Sequence, residues 1–279
     1  AWAKVFQNQG NHFTRIYIDA FAGTGARFFG SDSERPTLIE DSYDPKRAGG
    51  SARRALSVIP AFDKFYFVEK NAARFKELSE ALSRDFPQLR ASMRFLRGDA
   101  NQEISHLCES INWKRSRAVL FLDPFGMQVD WATIETIART EAIDLWYLVP
   151  TAIGIGRTLV RTGSIPSEWE NRLDRMLGTD TWRTEWYESR READLFSQST
   201  ERIERTASLA DIEDWFLRRL DNLFQGGAAK QGRRIGQNGK PMYLLTFACA
   251  NRSPKAQSIA LKIASSVLKQ RNPGHGGRI

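Results

Sequence analysis

The 279-residue chain has only two cysteines, Cys108 and Cys249, and three histidines, His12, His106 and His275. Two thiols in apolar-flanked segments exclude a disulfide scaffold. They read as reduced, buried residues, and the expected compartment is the cytoplasm. The histidines show no metal-ligand spacing, so no metal site is expected. His106, beside Leu107 and Cys108, reads as a helix-surface or core residue. No apolar run approaches the roughly 18 residues of a transmembrane helix, and no membrane partner is expected. No basic-then-apolar leader opens the chain, so no signal peptide is expected, and a start at Ala1 without Met reads as a trimmed terminus. The missing serine nucleophile elbow removes α/β-hydrolase chemistry. Acidic residues fall short of basic ones, 33 against 41, which leaves a net charge of +8. That excess suits a polyanionic partner such as RNA or DNA, and equally a solvated basic surface, because no long Lys/Arg block concentrates it.

What is present is a strand pattern. Five β-like runs occupy Arg15–Ala20, Lys64–Glu69, Met93–Arg97, Arg117–Leu122 and Ile143–Val149. They are rich in Ile, Val, Leu, Tyr and Phe with little alternation, as strands buried on both faces are. Helical patterns fall between them at Ser51–Ile59, Asn71–Phe86, Asn101–Ile111 and Trp131–Thr140. The alternation predicts an α/β fold with a doubly wound, mostly parallel, Rossmann-like sheet. After Pro150 the pattern changes. Residues 165–225 carry Trp169, Trp182, Trp186 and Trp215 among many charges and show no clear strand. The expected organisation is a core over 1–150, a helical insertion over 151–230, and C-terminal strands and a helix over 231–279 that complete the core. Gln225–Gly239 reads as a basic loop or hairpin tip, Met242–Cys249 as a strand, and Pro254–Lys269 as an amphipathic helix. The tryptophans read as packing rather than as a stacking platform. Lys230–Arg234 reads as a phosphate contact or a solvated loop.

The chemistry concentrates at strand ends. The first run ends in Asp19 and enters Ala20, Phe21, Gly23 and Gly25. Glycines after a strand let backbone approach a ligand closely. A dinucleotide fingerprint would need a third glycine and an immediate helix; here residues 26–48 intervene and read as a loop. The second run ends in Glu69. An acid there accepts from ribose hydroxyls, or simply faces the start of the helix at Asn71. It lies farther from the glycines than the usual roughly 20 residues, and the 26–48 stretch accounts for the difference. The third run is followed by Gly98-Asp99-Ala100, where Asp99 can accept from an adenine amine or cap a helix. The fourth is followed by Asp123-Pro124-Phe125-Gly126, next to the first strand at the sheet's switch point. Asp123 can accept from a substrate amine and Phe125 can stack, although Asp-Pro before Gly126 is also ordinary turn chemistry.

In this order the four segments resemble the class I methyltransferases that use S-adenosylmethionine. The resemblance implies that Asp19, Ala20, Phe21, Gly23 and Gly25 wrap the methionine part. It implies Glu69 on the ribose, Lys70 beside it in the cofactor site, Asp99 with Ala100 at the adenine, and Asp123, Pro124 and Phe125 facing the transferred methyl. The segments Tyr17-Ile-Asp-Ala-Phe-Ala-Gly, Phe67-Val-Glu-Lys-Asn71, Phe121-Leu-Asp-Pro-Phe-Gly126, Ile143-Asp-Leu-Trp146 and Tyr243-Leu-Leu-Thr-Phe-Ala-Cys-Ala-Asn251 are similar to the three-Cys-motif partner proteins, over nearly the whole chain. That likeness implies a methyltransferase-like protein working with a three-Cys-motif partner, and supplies no reaction. Amino-methyltransferases of nucleic-acid bases carry an Asp-Pro-Pro-Tyr type tetrad; this chain keeps the acid and an aromatic but has neither the second Pro nor the Tyr. The leading expectation is methyl transfer to a nitrogen of a nucleic-acid base. The rival is a binding or assembly module on the same fold without catalysis. A nicotinamide oxidoreductase is disfavoured by the absent third glycine.

Overall fold

A computed structural model describes residues 13–25, 50–193, 199–237 and 240–269. The expected loop over 26–48, together with His12 and His275, lies outside the described residues. Five strands follow the apolar runs: β1 (Thr14–Asp19), β2 (Lys64–Val68), β3 (Met93–Leu96), β4 (Ser116–Leu122) and β5 (Ile143–Val149). Helices α1 (Ser51–Leu56), α2 (Ala72–Asp85), α3 (Ala100–Ser110) and α4 (Trp131–Arg139) follow the first four strands. Both faces of the strands are covered, which is why their sequences do not alternate.

Beyond β5, Thr151–Gly156 makes one π-helical turn in which the Pro150 carbonyl accepts from both Gly154 and Ile155. Then come α5 (Ser167–Leu177), α6 (Trp182–Trp186), β6 (Tyr187–Ala193), β7 (Ser199–Arg205) and α7 (Leu209–Leu223). The expectation of no strand between 165 and 225 is corrected here, since β6 and β7 pair as an antiparallel hairpin. Its charged strands lie outside the main sheet and carry no apolar run. The chain ends in β8 (Arg233–Gln237), β9 (Lys240–Ala248) and α8 (Pro254–Leu268).

The main sheet has the order β3-β2-β1-β4-β5-β9-β8. β9 runs antiparallel to both neighbours, and the other strands run parallel to one another. The expected doubly wound sheet with an antiparallel C-terminal strand is therefore what forms. The basic stretch over 225–239 is in part an edge strand, β8, and not a loop throughout.

Alternation along each strand assigns the faces. Ile16, Ile18, Leu120 and Leu145 pack with Ile104 of α3, Ile134 of α4, Leu173 of α5 and Phe216 of α7. The opposite face carries Tyr17, Phe65, Phe67 and Val119 against Leu56 of α1 and Leu78 and Leu82 of α2. Farther along, Phe247 packs against Ala264 and Leu268 of α8. Fully burying one such aliphatic side chain contributes about 1.5–3 kcal/mol. Three of the insertion's tryptophans, Trp182, Trp186 and Trp215, are buried in this core, as packing predicts, while Trp169 is exposed. No helix among the described residues is long and apolar enough to cross a membrane.

Candidate functional site

The parallel register sets the strand ends level. Asp19 pairs with Phe67 of β2 and Phe121 of β4, so Glu69 and Asp123 each stand two residues farther on. By alternation all three acids belong to the face that carries Tyr17, Phe67 and Phe121. Val68 pairs with Leu96 of β3, and Glu69 donates its N–H to the Leu96 carbonyl at 3.1 Å, which brings Asp99 to the same edge.

Asp19 is fully buried. Its carboxylate accepts from Ser51 Oγ at 2.5 Å and from the Phe21 N–H at 3.3 Å. Burial lifts this carboxyl to about 6; the bonds from Ser51, Phe21 and Tyr17 oppose the rise, and the Glu69 charge adds to it. Asp123 is pushed up to about 7, first by burial and then by the charge of Asp19. Tyr243 of β9 is pushed up to about 12, by burial and by Asp123. Tyr17 is raised as well, by burial and then by Asp19 and Asp123. The two carboxylates thus share one poorly solvated place, and a cation placed between them would relieve both.

The turn after β1 is held by Ala20 N–H to the Phe121 carbonyl at 3.1 Å and Ala22 N–H to the Val68 carbonyl at 3.0 Å. Gly23 and Gly25 have φ of 62° and 71°, the left-handed region where a side chain is strained. A Cβ on Gly25 would also come within 2.9 Å of Leu78. At Gly25 the missing side chain lets the turn lie against Leu78 and Leu82 of α2.

Glu69 is buried, and its Oε1 accepts from the Asn71 N–H at 2.8 Å. It therefore does serve the start of α2, whose cap is Asn71 accepting from the Arg74 N–H at 3.0 Å. Asp99 caps α3: Oδ1 accepts from the Asn101 N–H at 3.0 Å, and Oδ2 accepts from Lys70 Nζ at 3.1 Å. Burial works to raise this carboxyl; Lys70 and Asn101 outweigh it and hold it below the usual carboxylate range. Ala20 and Ala100 are buried beside their acids, and Phe21 is half-buried.

After β4, Pro124 is buried and Phe125 is 58% exposed. Gly126 has φ 73°, so the segment is a turn, as its composition also implies. The Phe125 N–H donates to Gln128 Oε1 at 3.0 Å.

The structure thus gathers Asp19, Glu69, Asp99 and Asp123 at one sheet edge, with Lys70 on Asp99. It adds Tyr17, Ser51, Asn101, Gln128 and Tyr243, which sequence reasoning missed. Ser51 had one available signal: it opens the first helix after the glycine turn. The basic residues expected near phosphates are otherwise engaged, with Lys230 on Asp221 at 2.5 Å and Arg234 on Glu213 at 2.8 Å. His106 is exposed on α3. Among the described residues no group of three or more His, Cys, Asp or Glu could hold a metal ion.

No family model matches the chain, and no curated protein does. Solved structures give distant likenesses. A glycopeptide N-methyltransferase, MtfA, complexed with S-adenosylmethionine, is 9% identical over 89% of this chain and 91% of its own, with a TM-score of 0.34. An rRNA methylase from Streptococcus thermophilus is 13% identical over 71% and 89%, with a TM-score of 0.30. A conserved hypothetical protein from Streptococcus pyogenes is 14% identical over 74% and 96%, with a TM-score of 0.33. At this distance they assign neither a substrate nor a residue role.

Proposed function

We propose that the chain is a methyltransferase using S-adenosylmethionine, and that it transfers the methyl to a nitrogen of a nucleic-acid base. The observation that carries the reading is the row of four acids at the carboxyl ends of adjacent strands, centred on the β1/β4 switch point. Asp19 and Asp123, both lifted first by burial and then by a neighbouring acid (Glu69 for Asp19, Asp19 for Asp123), suit a ligand that brings positive charge and N–H donors. In this reading Asp19 with Ala20, Phe21, Gly23 and Gly25 receives the methionine part. Glu69, whose Oε1 is engaged by Asn71, offers its other oxygen to the ribose, Lys70 belongs to the same cofactor site, and Asp99 and Ala100 border the adenine. Asp123 accepts from the target amine, Pro124 fixes the turn, and exposed Phe125 stacks on the base.

In the transfer itself, the carbon–sulfur bond breaks as the carbon–nitrogen bond forms, and the nitrogen then loses a proton. Little covalent help is needed; alignment and an unprotonated nucleophile are. The net charge of +8 supports a nucleic-acid substrate. The motif likeness to three-Cys-motif partner proteins supports a three-Cys-motif protein as companion, in the cytoplasm.

Calorimetric titration with S-adenosylmethionine and S-adenosylhomocysteine tests the first half, and no heat from either sinks it. Labelled-methyl transfer onto total RNA, DNA and the companion tests the second. Labelling that Asp123→Ala abolishes supports the enzyme. Stable co-purification with no labelling favours the second reading, a binding module without catalysis. That reading draws on the loop after Asp123, where Gly126 at φ 73° stands in place of the tetrad's aromatic.

A further inference from the structure

Asn101, the second residue of α3, makes every hydrogen bond a side-chain amide can make. Its Nδ2 donates to Asp99 Oδ1 at 3.2 Å and to the Gln128 carbonyl at 2.9 Å. Its Oδ1 accepts from the Asp130 N–H at 3.0 Å and from Thr133 Oγ1 at 2.9 Å. Two of these partners open α4, and one is the loop that carries Asp123 and Phe125. Gln128 continues the chain of contacts: its Oε1 accepts from the Phe125 N–H at 3.0 Å, and its own N–H donates to the Gly126 carbonyl at 3.0 Å. The side chain of Asp130 then reaches Arg175 of α5 at 2.9 Å. An unbroken path of hydrogen bonds therefore runs from Lys70 through Asp99, Asn101 and Gln128 to the backbone of Phe125.

An N-cap needs none of this. Asp99 already caps α3 through the backbone N–H of Asn101. The side-chain amide is spent instead on joining the end of β3 to the loop after β4.

We infer that Asn101 is a positioning residue that clamps the Asp123–Gln128 loop to Asp99, so that what binds at Asp99 is registered at Phe125. The inference rests on the proposed function in one respect only, namely that a purine engages Asp99; the clamp itself stands on the hydrogen bonds.

The test places a trifluoromethyl label at Phe125→Cys. Cys108 and Cys249 are buried, with thiols pushed up by burial to about 12, so the new thiol reacts selectively near neutral pH. In ligand-free protein the label gives one fluorine resonance. Asn101→Ala and Gln128→Ala shift or broaden it, whereas Gln128→Glu, which keeps the acceptor for the Phe125 N–H, restores it. An Asn101→Ala spectrum identical to the parent overturns the clamp, and Gln128→Ala decides the matter should Asn101→Ala fail to fold. With S-adenosylhomocysteine added, the parent resonance moves on saturation. In Asn101→Ala the ligand still binds, weakened by no more than about tenfold, and the resonance stays still. A parent resonance that does not respond at saturation overturns the coupling. Absence of binding to the unlabelled native chain sinks the methyltransferase reading, while the ligand-free spectra still decide the clamp.

Discussion

At the ends of β1 and β4, burial holds Asp19 and Asp123 up to about 6 and about 7, with the Glu69 charge adding to the first and the Asp19 charge to the second. In the insertion, Asp174 is treated the other way. It accepts from Trp182 Nε1 at 2.8 Å and from both terminal nitrogens of Arg183. Burial works to raise it; Arg183 and Trp182 outweigh that and hold it below its usual range. Nearby, Glu185 accepts from Trp215 Nε1 at 2.6 Å, and buried Glu213 pairs with Arg234. The insertion's acids find their partners inside the protein. At the strand ends Asp99 pairs with Lys70, while Asp19 and Asp123 are raised by burial and by a neighbouring acid, with no basic side chain among the described residues lowering them. The difference separates charge that maintains the fold from charge that is kept available.

The largest effect expected is on ligand affinity at the strand ends. Asp19→Asn keeps an acceptor for Ser51 but removes the charge, so S-adenosylhomocysteine should bind about 10–100-fold more weakly, with stability unchanged or higher at pH 8. Calorimetry and urea denaturation on the same samples read both halves. A large loss of stability would erase the contrast with the insertion.

Asp174→Ala should do the reverse. It leaves the Trp182 indole N–H without an acceptor in a buried setting, which costs about 1–3 kcal/mol. The affinity for S-adenosylhomocysteine should stay the same, because the insertion's acids are not held for the ligand.

pH should divide the two regions again. A carboxyl raised above its unfolded value binds a proton in the native state that the unfolded chain has lost, so stability falls as pH rises through that window. For Asp19 and Asp123 the window runs from about 4 to about 7. Asp174 of the insertion is lowered, so its contribution is present above about pH 4 and is lost on acidification. A cationic ligand should bind about tenfold more weakly at pH 5 than at pH 8 through Asp19 alone. Asp19→Asn should flatten that profile. A flat profile in the native protein would remove Asp19 as the ligand's counter-charge.

The smallest effect belongs to Lys70→Ala. Lys70 is 77% exposed where it meets Asp99, and such pairs contribute about 0–1 kcal/mol. Stability should hardly move, and the affinity for S-adenosylhomocysteine should change less than about threefold. A larger loss of affinity would mean that Lys70 itself contacts the ligand.

Strands β1 to β5 were legible in the sequence because burial on both faces leaves dense runs such as Val119-Leu120-Phe121-Leu122. β8 was not, because an edge strand reading Arg-Arg-Ile-Gly-Gln carries neither a dense run nor clean alternation. β6 and β7 pair charged residues with charged residues, as in Glu188 opposite Glu204, and give no apolar period to detect. At the site, Asp19, Glu69, Asp99 and Asp123 stood out because each lies at or just past the end of a recognisable strand. Asn101 and Ser51 did not. Their partners lie 32 residues away in sequence, at Thr133 and Asp19, and only the folded sheet brings them together.

The reversed strand β9 sets an order of events for a chain made from its N-terminus. β5 is paired on one side by β4, but its other edge waits until the whole insertion has been synthesised and β9 arrives. Until then a long apolar edge, Ile143–Val149, stays open to pairing with another copy. Residues 240–248 therefore act as a latch that ends this exposure. Chains cut short within the insertion should aggregate, whereas chains that reach residue 248 should not.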